Sequence, residues 1–129
     1  MNNSVLLVED DTFIKQMYCT KIEELGIKVF SASTRDEAFD ILNKNKVDLI
    51  LLDLVLPEVS GFDILKELKK NSILKNIPII ILSNLSSQTD ISQAFELGVL
   101  DYIVKSNYTP SEVMRTIQKH LPTNTHTNT

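Results

Sequence analysis

The sequence has 129 residues, 43% of them hydrophobic, so one domain with a full apolar core is expected and disorder throughout is excluded. A balance of 13 Lys and Arg against 17 Asp and Glu gives a formal charge of −4, and without a Lys/Arg cluster direct nucleic-acid binding is disfavoured. The lone Cys19 excludes an intrachain disulfide and a CxxC zinc site, and no apolar run approaches a membrane span, so a protein of the cytoplasm is expected.

Residues 5–8 form a short aliphatic run ending in Glu9-Asp10-Asp11. Phe13, Ile14, Met17, Tyr18, Ile22 and Leu25 then recur at helical spacing, with Cys19 as a half-buried helix residue and Gly26 as the stop. A second strand is predicted over 27–31. Thr34-Arg35-Asp36-Glu37 reads as a capping box that opens a second helix, with Ala38, Ile41 and Leu42 inward. Residues 49–52 are wholly apolar and end in Asp53. Ser60 can cap a third helix whose apolar face carries Phe62, Leu65 and Leu68. Residues 79–82 form a fourth strand ending in Ser83-Asn84. Ser87-Gln88-Thr89-Asp90 opens a fourth helix, with Ile91, Ala94 and Phe95 inward and Gly98 closing it. Residues 101–104 form a fifth strand ending in Lys105-Ser106. Thr109-Pro110-Ser111-Glu112 opens a fifth helix with a cap, a proline at the first helical position and a glutamate at the third. A domain over 1–121 is expected, with the polar residues 122–129 as a disordered tail or linker.

Strict β-α alternation implies a parallel sheet with right-handed crossovers and helices on both faces. Five strands favour the flavodoxin-like, doubly wound α/β order 2-1-3-4-5, with five helices. Ligands in such folds bind beyond the carboxyl ends of the strands, near the switch point between strands 1 and 3. The residues expected there are Glu9, Asp10, Asp11, Asp53, Ser83 and Lys105. Clustered carboxylates repel one another, and a divalent cation removes the conflict. Mg²⁺ typically takes one or two carboxylates, waters and phosphate oxygens. A carboxylate is also a competent nucleophile toward phosphorus, and an ammonium and a hydroxyl placed opposite stabilise the transferred group. Asp11 reads as readily as a helix cap. The residues alone point to a magnesium-dependent phosphate site.

Four stretches together resemble the receiver domain of two-component response regulators, over about residues 4–121. They are Leu7-Val8-Glu9-Asp10-Asp11, Leu51-Leu52-Asp53-Leu54-Val55-Leu56-Pro57 with Gly61, Ile80-Ile81-Leu82-Ser83, and Gly98-Val99-Leu100-Asp101-Tyr102-Ile103-Val104-Lys105. The resemblance implies that Asp53 accepts a phosphoryl group from a histidine kinase or phosphotransfer protein. It implies Mg²⁺ on Glu9, Asp10, Asp53 and the Val55 backbone carbonyl. Ser83 would bond a phosphoryl oxygen, and Lys105 would pair with Asp53 or its phosphate. Tyr102 would turn inward together with Ser83. The fourth helix, fifth strand and fifth helix would then present a changed face to a downstream partner or output domain, in a monomer or a phosphorylation-dependent dimer. No nucleic acid or membrane contact by this domain is implied.

Departures from the family pattern are specific. Ser106 stands where the family usually has a proline in a cis bond, and Asn84 replaces a small residue, which would narrow access to the phosphate. Val55 and Leu85 cannot position an attacking water by hydrogen bonding, so slow self-dephosphorylation is expected. The residues 86–92 lack Lys and Arg, which speaks against the dimerising transcription-factor branch. A receiver cut from a longer regulator with a DNA-binding or enzymatic output is the alternative. An aspartate-nucleophile phosphatase would need a second acid where Val55 stands. Glycines 26, 61 and 98 do not build a phosphate loop. An enzyme is therefore not expected.

Overall fold

A computed structural model describes residues 3–121; the expected tail, with His126, lies outside the described residues. The elements in chain order are β1 (Ser4–Val8), α1 (Thr12–Glu24), β2 (Lys28–Ala32), α2 (Arg35–Lys44), β3 (Leu49–Leu52), α3 (Gly61–Lys70), β4 (Ile79–Ser83), α4 (Gln88–Glu96), β5 (Asp101–Val104) and α5 (Pro110–His120). A single 3₁₀ turn, Lys105–Asn107, precedes α5 and was not expected. All strand pairs are parallel, in the order β2-β1-β3-β4-β5. This is the doubly wound arrangement expected from the alternation.

Side-chain parity sorts the core into two layers. Val5, Leu7, Leu49, Leu51, Ile80, Leu82 and Ile103 pack against Tyr18, Ile22, Val113 and Ile117 of α1 and α5. Leu6, Val8, Ile50, Leu52, Ile79, Ile81 and Tyr102 pack against α2, α3 and α4 through Ala38, Phe39, Leu42, Ile64, Leu65, Leu68 and Ala94. β1, β3 and β4 are buried along their whole length, which is why their sequences read as unbroken apolar runs.

Local capping sets where each helix starts. Asp11 accepts from Ile14 N–H, Ser60 from Phe62 N–H and Ser87 from Asp90 N–H. Thr109 and Glu112 form a complete capping box on α5. At α2, Thr34 caps Glu37 N–H, but the Glu37 carboxylate reaches one residue further and accepts from Ser33 N–H at 2.7 Å. Gly26 and Gly98 follow α1 and α4 with φ of 79° and 92°, a region that favours glycine.

Two aromatic residues expected inside are not. Phe13 is 85% exposed, because it lies about half a turn round α1 from the buried Ile22 at 3.6 residues per turn. Phe95 is 46% exposed, since its neighbour Ala94 holds the buried face of α4. Leu25, the residue after α1, is 36% exposed. Phe39, not expected inside, is buried in the layer under α2.

Gly61 fixes how α3 sits on the site. A Cβ there would lie 2.5 Å from Leu54 Cα and clash with the Asp53 carbonyl, both main-chain atoms that cannot swing away. Gly61→Ala is therefore expected to destabilise the fold by about 1–3 kcal/mol, the cost of forced overpacking, measured as a lower urea midpoint with unchanged slope.

Candidate functional site

Sheet register delivers two carboxylates to one point. β1 and β3 are neighbours, with Val8 opposite Leu52, so the next residues, Glu9 and Asp53, emerge side by side. The ladder continues one step past the strands: Asp53 N–H donates to the Val8 carbonyl at 3.1 Å and Glu9 N–H to that of Ala32 at 2.9 Å. Lys105 arrives from the end of β5, reaching over β4. Its Nζ donates to Asp53 Oδ2 at 2.8 Å and also to Glu9 Oε1. Glu9 and Asp53 are 2% and 5% exposed. Their other oxygens are held by the main chain, Glu9 Oε2 by Asp11 N–H and Asp53 Oδ1 by Val55 N–H, each at 3.0 Å. Asp10 is exposed, yet Glu9, Asp10 and Asp53 each place a carboxylate oxygen within 4.8 Å of the others.

Burial pushes the Glu9 carboxyl above its usual range, although the bonds from Lys105 and Asp11 N–H pull the other way. Burial alone would lower Lys105, but its bonds to Asp53 and Glu9 outweigh that and hold it above the ordinary lysine value. Lys105 stays an ammonium, and the cost of desolvation falls on Glu9. Three carboxylates against one ammonium leave a net charge of −2, which one divalent cation would cancel. The donors are hard oxygens of the kind Mg²⁺ takes, so the residues fit that ion.

The remaining predicted residues take distinct places. Ser83 is fully buried at the end of β4, and its hydroxyl accepts from Leu85 N–H at 3.3 Å. Tyr102 is already inward, its ring buried and its hydroxyl donating to the Leu85 carbonyl at 2.6 Å. Burial, then the charges of Asp90 and Asp53, push that phenol up to about 12, so it remains a donor. Ser83 and Tyr102 thus meet through the peptide groups of Leu85. Val55 is exposed beside the cluster. Asp11 serves as the cap of α1. Burial pushes the Cys19 thiol up, away from the reactive thiolate. His120, at the end of α5, lies 3.0 Å from Asp101 and away from the cluster.

Sequence reasoning missed several contacts. The Lys105–Glu9 pair could have been read from the adjacency of strands 1 and 3. The Leu85 peptide contacts left no signal, because main-chain groups are the same for every residue. A bond from Ser106 N–H to Asn84 Oδ1, 2.9 Å long, joins two positions noted only as departures. The peptide between Lys105 and Ser106 is trans, as are all those described.

Residues 5–118 match the family model described as the response regulator receiver domain. The chain belongs to this family. Over 118 residues the receiver is 36% identical to the phosphate regulon transcriptional regulatory protein PhoB of Escherichia coli, covering 92% of this chain and 51% of that protein. It is 34% identical over 114 residues to the transcriptional regulatory protein SrrA of Staphylococcus aureus, covering 88% and 46%. The chain therefore spans about half the length of the curated relatives it matches. The Vibrio cholerae chemotaxis protein CheY4 superposes with a TM-score of 0.86 at 27% identity, covering 94% of this receiver and 100% of that chain.

The electrostatics of this receiver carry a sign that can be measured. The folded-state pKa of Glu9 is raised, so its ionised form costs stability above that pKa, and the cost fades as pH falls through it toward the ordinary carboxylate value. Glu9→Gln is expected to stabilise the metal-free protein at neutral pH, seen as a higher urea midpoint. The gain should shrink in acid, as followed by urea unfolding across a pH series.

Proposed function

We propose that this receiver is a phosphorylation-activated signalling domain in which Asp53 accepts a phosphoryl group from a histidine kinase or a phosphotransfer protein. The observation that carries the reading is the convergence of Asp53, Glu9, Asp10 and Lys105 at one sheet edge. An Asp53 carboxylate oxygen forms a bond to phosphorus as the P–N bond of the donor's phosphohistidine breaks. The ring nitrogen leaves with the P–N electron pair, and the ring departs as neutral imidazole because its other nitrogen carries a proton. Val55 N–H fixes the carboxylate by holding Oδ1. Lys105 is placed to follow negative charge from Asp53 onto the phosphoryl oxygens, since its ammonium already sits against Oδ2. Glu9, Asp10, Asp53 and the Val55 carbonyl would hold Mg²⁺, which when bound neutralises charge on the phosphoryl oxygens. The domain assists its own phosphorylation and slow dephosphorylation and has no separate substrate, so it is a switch and not an enzyme.

A phosphoryl group adds about −1.5 to −2 charge beside Ser83. The Ser83 hydroxyl ends β4 beside β3, and drawing it toward phosphate would shift the contact it makes with Leu85 N–H. Leu85 also anchors Tyr102, so the change is passed to α4, β5 and α5, the face offered to a partner. This is a shift between two packings of one chain. The chain's half-length against its relatives supports a second reading in the same class. In it, the receiver unit over residues 1–121 is one half of a longer regulator with a DNA-binding output, working as a monomer or a phosphorylation-dependent dimer in the cytoplasm. Among the described residues no helix is long and apolar enough to cross a membrane.

Acetyl phosphate with Mg²⁺ is expected to label the protein at Asp53, and chelating the metal to suppress the labelling. Asp53→Asn should reduce labelling to background with an unchanged circular dichroism spectrum; persistent labelling would place the chemistry elsewhere. The apolar Val55 and Leu85 leave no side chain to orient an attacking water. The acyl phosphate is therefore expected to decay over minutes or longer, and polar residues at both positions to speed that decay, followed by loss of radiolabel.

A further inference from the structure

Two positions that depart from the family pattern are bonded to each other. β4 and β5 run in register to Ser83 opposite Val104, and beyond that pair the chains diverge. One becomes the loop into α4; the other becomes the 3₁₀ turn Lys105–Asn107. Across the gap, Ser106 N–H donates to Asn84 Oδ1 at 2.9 Å. Both requirements are met by residue type. Ser106 keeps a main-chain N–H that a proline would lack. Asn84 supplies a carbonyl on a side chain short enough to stay beside its own backbone.

We propose that Asn84 is a positioning residue for Lys105: its side chain continues the β4–β5 ladder by one step and holds the turn from which the lysine reaches Asp53. The proposal rests on the reading of Asp53 as phosphoacceptor only for its kinetic consequence. Lys105 lies immediately before Ser106, and its ammonium crosses β4 to reach Asp53 and Glu9. A tether at Ser106 therefore limits where the lysine's backbone can sit. The same tether binds the loop that carries Ser83 and Leu85 to the loop that carries Lys105. Leu85 is in turn fixed to β5 by the Tyr102 hydroxyl, so the loop after β4 is held at two consecutive residues, by the turn at Asn84 and by the strand at Leu85. The bond is exposed, and water competes for both partners, so its effect is modest in size. It acts by keeping an already ordered turn in register.

The test has a structural arm and a kinetic arm, both on the full chain. In the first, the Ser106 amide is followed by hydrogen exchange. Protection in the native protein and a loss of about 3–10-fold in Asn84→Ala are expected, as for a single net hydrogen bond. Asn84→Asp, which keeps the acceptor, should restore it. An unprotected Ser106 amide, or equal protection in Asn84→Ala, overturns the proposal whatever the chemistry at Asp53. In the second, labelling by acetyl phosphate with Mg²⁺ is expected to slow by a similar factor in Asn84→Ala with the thermal midpoint unchanged. Ser106→Pro removes the donor, and in that background Asn84→Ala should have no further effect. Additive effects, or labelling of Asn84→Ala at the wild-type rate, defeat the positioning role while leaving Asp53 as acceptor. Absence of Asp53 labelling in the wild type defeats the acceptor reading, and with it the kinetic consequence proposed for Asn84.

Discussion

Two carboxylates lie buried side by side at the end of a parallel sheet, and one ammonium holds them there. That arrangement is unfavourable in isolation, because water has been removed from three ionised groups whose charges do not sum to zero. It persists because the groups are over-determined. Main-chain N–H groups of Asp11 and Val55 hold one oxygen of each carboxylate, and Lys105 takes the other from each. The strands bring the acids together without a choice, since Glu9 and Asp53 follow adjacent strands in register. The fold's stability is thus spent in part on keeping a charge imbalance in place, one that a bound cation would relieve.

The far side of the site is organised differently. Ser83 and Tyr102 share the peptide groups of Leu85. One residue of main chain therefore links the Ser83 hydroxyl to an aromatic ring in the layer under α4. Such a link depends on geometry rather than on side-chain identity at Leu85. Tyr102 occupies the inward position, so inward packing of the ring is compatible with the lysine still paired to both acids.

Much of this was legible in the sequence, and the parts that were not share a cause. Strands 49–52 and 101–104 were read to the residue, the first because a buried parallel strand shows as an unbroken apolar run. The first strand gained Ser4, which pairs with Lys28 and is anchored by Asp48, contacts no local pattern announces. Caps at Ser60, Ser87 and Thr109 were readable because a cap is chemistry between residues a few positions apart. Phe13 and Phe95 were misplaced because each is apolar yet stands off the buried stripe of its helix, Phe13 half a turn from Ile22 and Phe95 one residue past Ala94. The strand-end residues were legible as a set, since the fold rule says where strands deliver their ends. Their hydrogen bonds to main chain, and the tie between Asn84 and Ser106, were not, because backbone partners have no residue type.

Gly61 gives the site a direction. The first turn of α3 rests on the main chain of Asp53 and Leu54 with no room for a methyl group, and Gly61 N–H is bonded to the Leu54 carbonyl at 3.0 Å. Backbone packed against backbone has no side chain to rotate and little compliance. That flank of Asp53 is a backstop. The carboxylate itself is held more loosely, by single hydrogen bonds from Val55 N–H and from the Lys105 ammonium. The asymmetry works as a ratchet housing does: one wall is stiff, so the yielding side decides which way the molecule answers.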